Sequence, residues 1–204
     1  MKKKVTILLS VIAMGFGINA NAQAVSEGNI MIDAYYGYPN FGKTFTKSLN
    51  GIDGIKTTGI GPMGARAEYM VADKFGIGVD FIYNSINATG TIDSLAADGQ
   101  TVVETYKITT FMQRYRPQIR MNYHFTANDQ LDAYFGVGVG ANVRRIGVRT
   151  DYPGYDIPKV SGALIPVSMR IALGMRYFFT DNIGANLELG LGGPFLSGGL
   201  SIKF

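Results

Sequence analysis

Residues 114–125 read RYRPQIRMNYHF. Arg114, Arg116, Gln118, Arg120, Asn122 and His124 hold every second place, and Tyr115, Pro117, Ile119, Met121, Tyr123 and Phe125 hold the places between. A strict period of two belongs to an extended strand, whose successive side chains point to opposite faces. One face is charged and the other apolar, so the fold turns on which of them meets water.

The same alternation runs along most of the chain. Segments 29–38, 63–71, 75–83, about 107–125, 131–144, 164–178, 183–191 and 195–204 each set apolar residues against polar residues or glycine. In 164–178, Ile165, Val167, Met169, Ile171, Leu173, Met175 and Tyr177 oppose Ser168, Arg170 and Arg176. That makes eight strands, most of them near the 9 to 11 residues a tilted strand needs to cross a bilayer. The connections alternate in length. ADK (72–74), TANDQ (126–130) and TDN (180–182) are short turns. Long polar stretches lie at 39–59 and 85–106, a shorter one at 145–162, and a tight turn near Gly192–Pro194. An even strand count, with short turns on one side and long loops on the other, is the pattern of an outer-membrane barrel.

The start, MKKKVTILLSVIAMGFGINANAQ, has a basic head, an apolar run over 5–18 and the small residues Ala20-Asn21-Ala22. It reads as a secretory signal peptide over 1–22 with cleavage after Ala22, leaving a single domain over 23–204. The apolar run is shorter than the about 20 residues of a transmembrane helix. The leader takes three of the 19 Lys+Arg and none of the 15 acidic residues, leaving 16 basic against 15 acidic. The basic balance thus belongs to the leader and gives no reason to expect a nucleic-acid partner. The chain has no cysteine, which excludes disulfides, thiolate metal sites, a cysteine nucleophile and a lipoprotein anchor.

Residue size decides the inside. An eight-stranded barrel has an interior just wide enough for side chains to fill. The apolar set, with Phe, Tyr, Met, Ile and Leu on every strand, is too bulky for it and is expected to face lipid. The polar set fits. Its glycines (76, 78, 136, 138, 140, 184, 190) fall on the third, fifth and seventh strands, and its arginines (66, 114, 116, 120, 170, 176) on the second, fourth and sixth. Large side chains are thus expected to reach over strands that offer none. Arg66, Glu68, Asp80, Arg114, Arg116, Arg120, Asp132, Arg144, Arg170, Arg176 and Glu188 are the expected lumen charge network, with Asp33 on the same side. Buried charges require partners or water, so a salt-bridged, water-dotted plug is predicted rather than an open pore. Tyr69, Tyr123, Phe125, Tyr177 and Phe204 are expected to form an aromatic girdle at the short-turn end, and Tyr36, Tyr38, Tyr83 and Tyr106 one at the long-loop end.

The strand pattern and the last eight residues, SGGLSIKF, carry a resemblance to small outer-membrane β-barrel proteins of the OmpA/OmpX-like superfamily, in the form common in Bacteroidetes. The resemblance covers essentially all of 23–204. It implies that Ser197, Gly199, Ile202 and Phe204 form the signal read by the barrel-assembly machinery, and that the protein is inserted in the outer membrane. No peptidoglycan-binding domain is expected after the barrel, unlike full-length OmpA.

His124 is the single histidine. It falls at the short-turn end facing the lumen, where a solvated histidine is expected rather than a catalytic one. GVGVGA (136–141) lacks the strand–turn–helix setting of a dinucleotide loop and reads as lumen-facing spacers. No catalytic residue, metal or cofactor is expected. The expectation is an all-β, eight-stranded antiparallel up-and-down transmembrane β-barrel, non-enzymatic, with a structural or surface-interaction role through its long loops. Its partners would be outer-membrane lipid and lipopolysaccharide, the assembly machinery during biogenesis, and a surface partner met by the loops. The alternatives are a narrow porin-like channel for small solutes and a component of a secretion or adhesion apparatus.

Overall fold

The computed structural model describes residues 24–43, 55–96, 100–125, 128–154, 160–162 and 165–204. The expected leader, and the loop charges Lys47, Asp53, Asp98, Asp156 and Lys159, lie outside the described residues. The elements are β1 (Ile30–Tyr38), β2 (Lys56–Thr58), β3 (Met63–Ala72), β4 (Phe75–Leu95), β5 (Val102–His124), β6 (Leu131–Ala141), β7 (Val143–Thr150), β8 (Val160–Ser161), β9 (Val167–Phe178), β10 (Ile183–Leu191) and β11 (Leu196–Lys203).

Eight of them close a ring. The antiparallel order is β1-β3-β4-β5-β6-β9-β10-β11, and β11 pairs back onto β1 from Met31↔Lys203 to Tyr38↔Leu196. Ile30 and Phe204 exchange both backbone hydrogen bonds, at 3.0 and 2.9 Å, which fastens the seam at the short-turn end. No helix among the described residues is long and apolar enough to cross a membrane. The chain crosses with strands, each paired to a neighbour on both sides around the ring, as hydrocarbon requires.

The barrel is inside out. Along β9 the exposed residues are Val167, Met169, Ile171, Leu173, Met175 and Tyr177, and the buried ones are Ser168, Arg170, Ala172, Gly174, Arg176 and Phe178. In water such a surface would be an association hazard, whereas against lipid it is the expected outer face. Tyr69, Tyr123, Tyr177 and Phe204 stand on this face at the short-turn end, and Tyr36 and Tyr38 at the other.

Two long connections differ from expectation. Residues 85–95 and 102–106 are strand rather than loop: β4 and β5 stay paired in one register from Tyr83↔Tyr115 to Ser94↔Glu104. Residues 84–95 thus add roughly 40 Å of strand at about 3.3 Å per residue. β7, placed in the expected loop 145–162, continues β6 in the same register against β5, while β2 and β8 add short flanks. Tyr106 is therefore no girdle residue. It pairs with Ile92 nine residues beyond Tyr115 and packs edge-on against Tyr152 at 4.6 Å. Pro117 lies in mid-strand with no N–H to give, and the partner strand is interrupted next to it, at Asn142 between β6 and β7, opposite Arg116.

Candidate functional site

The lumen side chains stack in three tiers between a floor and a roof. The floor is apolar. Met31, Met70 and Phe178 turn inward at the short-turn end, and Ala24 and Val25 fold beneath them, all at most 2% exposed. Ala24 N–H donates to the Asn128 carbonyl at 3.0 Å, and Lys203 Nζ donates to the Ala24 carbonyl at 2.7 Å.

The first tier above the floor is centred on Arg176, which is 1% exposed. Its Nη1 donates to Asp132 Oδ2 at 2.9 Å, Nη2 to Glu68 Oε2 at 2.7 Å and Asp33 Oδ2 at 3.0 Å, and Nε to Asp33 Oδ1 at 3.1 Å. His124 lies between two of these acids, Nδ1 at 2.7 Å from Asp132 and Nε2 at 3.0 Å from Glu68. It is 1% exposed, so the expected solvated histidine is corrected to a buried bridging one.

In the second tier three arginines converge on Glu188. Arg120 Nη2 and Arg170 Nη2 each reach it at 2.5 Å, Arg66 Nη1 joins them, and the Tyr134 hydroxyl donates at 3.0 Å. Arg120 also pairs with Asp80 at 3.4 Å, and Arg66 with Asp33 at 3.3 Å. The Tyr35 hydroxyl donates to Asp80 at 2.6 Å, and its ring lies under Arg66 at 4.6 Å.

The third tier, at the outer mouth, holds Arg114, Arg116 and Arg144. They face the lumen as expected, but they form no ion pair among the described residues, which corrects their place in the network. Two of them have neutral acceptors: Arg114 Nε donates to Asn142 Oδ1 at 2.7 Å, and Arg116 Nη1 to the Gly192 carbonyl at 2.6 Å. The roof is the turn Gly192–Pro194, where Gly192 has φ +82° and Arg170 Nη1 donates to the Pro194 carbonyl at 3.2 Å.

Glycines make the room. A Cβ at Gly76 would collide with Glu68 Oε1, one at Gly136 with Asn122 and Arg120, and one at Gly174 with the Tyr134 ring. Arg66, Glu68, Asp80, Arg120, Asp132, Arg170, Arg176 and Glu188 thus come together, each at most 4% exposed. Tyr35, Tyr134, Asn122 and His124 complete the network. They share its strand parity, and that parity was the available signal for them.

A second feature lies outside the bilayer. On the outward sheet Ile92, Tyr106, Ile108, Val148 and Tyr152 line a hollow of about 370 Å³ together with Asp93, Ser94 and Thr150. Ile92, Leu95, Val102 and Val103 are 50–66% exposed there. The Tyr106 hydroxyl donates to Glu104 at 2.6 Å, and that carboxylate pushes the phenol up to about 12, so it stays neutral at physiological pH. Of the C-terminal positions, Ser197 faces the lumen, Gly199 backs onto the Ala34 carbonyl, and Ile202 and Phe204 face lipid at 43% and 66% exposure.

No curated protein matches the sequence. Among solved structures, the N-terminal β-barrel domain of Pseudomonas aeruginosa OprF is 16% identical, covers 88% of this chain and 100% of its own, and has a TM-score of 0.45. OprG of Pseudomonas aeruginosa is 13% identical over 90% and 99%, with a TM-score of 0.47. Ail of Yersinia pestis, solved with the heparin analogue sucrose octasulfate, is 12% identical over 87% and 99%, with a TM-score of 0.42. The profile of the outer membrane protein beta-barrel domain family matches residues 8–193; with the closed ring and the lipid-facing surface already described, the chain belongs to that family and resides in the outer membrane.

Proposed function

We propose that this protein is a non-conducting, non-enzymatic barrel that works at the cell surface through its outward sheet. One observation carries the reading: the lumen is filled from floor to roof while β4 and β5 continue far past the membrane. Arg170, Arg176, Tyr134, Phe178, Met31 and Ile82 occupy the interior at under 2% exposure, leaving the exposed hairpin as the surface available for contact. In planar bilayers the refolded barrel is expected to show no conductance steps, and Arg116→Gln or Arg120→Gln to add none; steps from the parent chain would overturn this in favour of a narrow channel. A photo-crosslinker at Val103, used in whole cells and read by mass spectrometry, is expected to give a discrete adduct; no adduct would remove the surface role. The exposed apolar residues of the hairpin also favour the second reading, a component of a secretion or adhesion apparatus, which the identity of that adduct would reveal. Lipopolysaccharide is the expected neighbour of the outer rim.

We infer also that residues 1–22 are a signal peptide. Ala24, seated in the floor two residues past the boundary, is compatible with a mature chain that starts there. Ser197, Gly199, Ile202 and Phe204 are read as the assembly signal. Phe204→Ala is expected to reduce insertion by assembly machinery in cells while leaving spontaneous refolding into micelles nearly unchanged, since Phe204 is two-thirds exposed. Equal loss in both assays would make Phe204 a stability residue instead.

A further inference from the structure

We propose that the outer mouth of the barrel binds one small oxyanion of the phosphate class between Arg116, Arg114 and Arg144. The proposal does not depend on whether the lumen conducts. Arg116 is 4% exposed, and its Nε is buried without an acceptor. Arg144 Nε is likewise buried without one. Arg114 and Arg144 stand directly opposite each other on β5 and β7, and like charges so placed destabilise a strand pair. Deeper in the lumen the same fold gives Arg66, Arg120, Arg170 and Arg176 a carboxylate each. In the outer tier Arg114 and Arg116 have neutral acceptors, and none of the three cations forms an ion pair among the described residues. A buried guanidinium without a direct ion-pair partner is costly, and guanidinium forks match the oxygens of phosphate, each able to give two parallel bonds. The roof turn holds Arg116 through the Gly192 carbonyl, so the ligand proposed is a small headgroup. The phosphate can be free in solution or carried by a membrane lipid.

The test uses the full barrel refolded in phosphate-free maltoside micelles, with urea unfolding followed by gel mobility. Sodium phosphate is compared with sodium chloride at matched ionic strength. Binding to the folded state alone lowers the unfolding constant about tenfold once phosphate is some ninefold above its Kd. Arg144→Gln, at a partly buried position, is expected to abolish this response. The same variant should also raise stability without phosphate, because it removes the opposed charge. Arg114→Gln should do the same, so the test survives the failure of either variant to fold. A parent response no larger than with chloride, or an undiminished response in both variants, overturns the site. Micelles doped with lipid A then name the source. If lipid A removes the response to inorganic phosphate, a lipid phosphate fills the site; if the response persists, the ligand is the free ion.

Discussion

Glu188→Gln should lower the stability of the folded barrel by about 3–5 kcal/mol, the range found when one partner of a buried ion cluster is removed. Glu188 receives Arg66, Arg120, Arg170 and the Tyr134 hydroxyl, and its side chain is 1% exposed. The amide keeps the shape and loses the charge. Arg120 would then keep Asp80 at 3.4 Å and Arg66 would keep Asp33 at 3.3 Å, which is already committed to Arg176, while Arg170 would keep the Pro194 carbonyl. The Glu188 side chain is shut off from bulk solvent, so the penalty falls on the folded state. A urea titration followed by gel mobility or tyrosine fluorescence measures it, since the chain has no tryptophan. Asp93→Asn on the exposed hairpin, where Asp93 accepts from the Thr105 hydroxyl, should cost no more than about 1 kcal/mol. A Glu188→Gln midpoint equal to that of Asp93→Asn would mean that the second tier is hydrated and loosely held.

The parity of a dozen residues was enough to place the arginines. Because side chains alternate strictly, assigning one position of β5 to the lumen assigns them all, and Gln118, Asn122 and His124 followed Arg120 inward. The eight crossing strands were legible for the same reason: lipid demands apolar residues on one face, so the sequence shows period two wherever the bilayer is. Beyond Tyr83 and Tyr115 that demand ends. NSINATGTIDSL carries polar residues on both faces, so the pattern fades while the backbone ladder continues, and a long hairpin reads as a loop. The floor was hidden for another reason. Val25 meets Met31, Met70 and Phe178, which come from three different strands and are brought together only by closure of the ring. Which arginines find carboxylates was equally beyond the sequence. Arg176 and Asp33 are 143 residues apart and meet across the lumen, whereas Arg114 and Arg116 have the same parity and residue type and form no ion pair among the described residues.

Ile171→Arg should destabilise the membrane-inserted barrel by about 2–4 kcal/mol if this position lies near the bilayer midplane. Ile171 sits on β9 between Val137 and Leu191 in register, and all three point outward, at 53%, 42% and 67% exposure. By exposure alone, such positions would tolerate a charged side chain, since surface substitutions usually stay within about ±0.5 kcal/mol. The medium reverses the expectation. A guanidinium at Ile171 has only hydrocarbon around it, and its neighbours Val137 and Leu191 carry no acceptor. Val103 supplies the contrast: it is even more exposed, at 66%, but lies near the tip of the hairpin outside the bilayer. Val103→Arg should therefore shift the urea midpoint in lipid vesicles by no more than about 0.5 kcal/mol. The two substitutions add the same charge to an exposed β-branched site, so only the surrounding medium distinguishes them. If they cost the same, the apolar face of RYRPQIRMNYHF and its seven counterparts meets water, and the arginines would have to be explained another way.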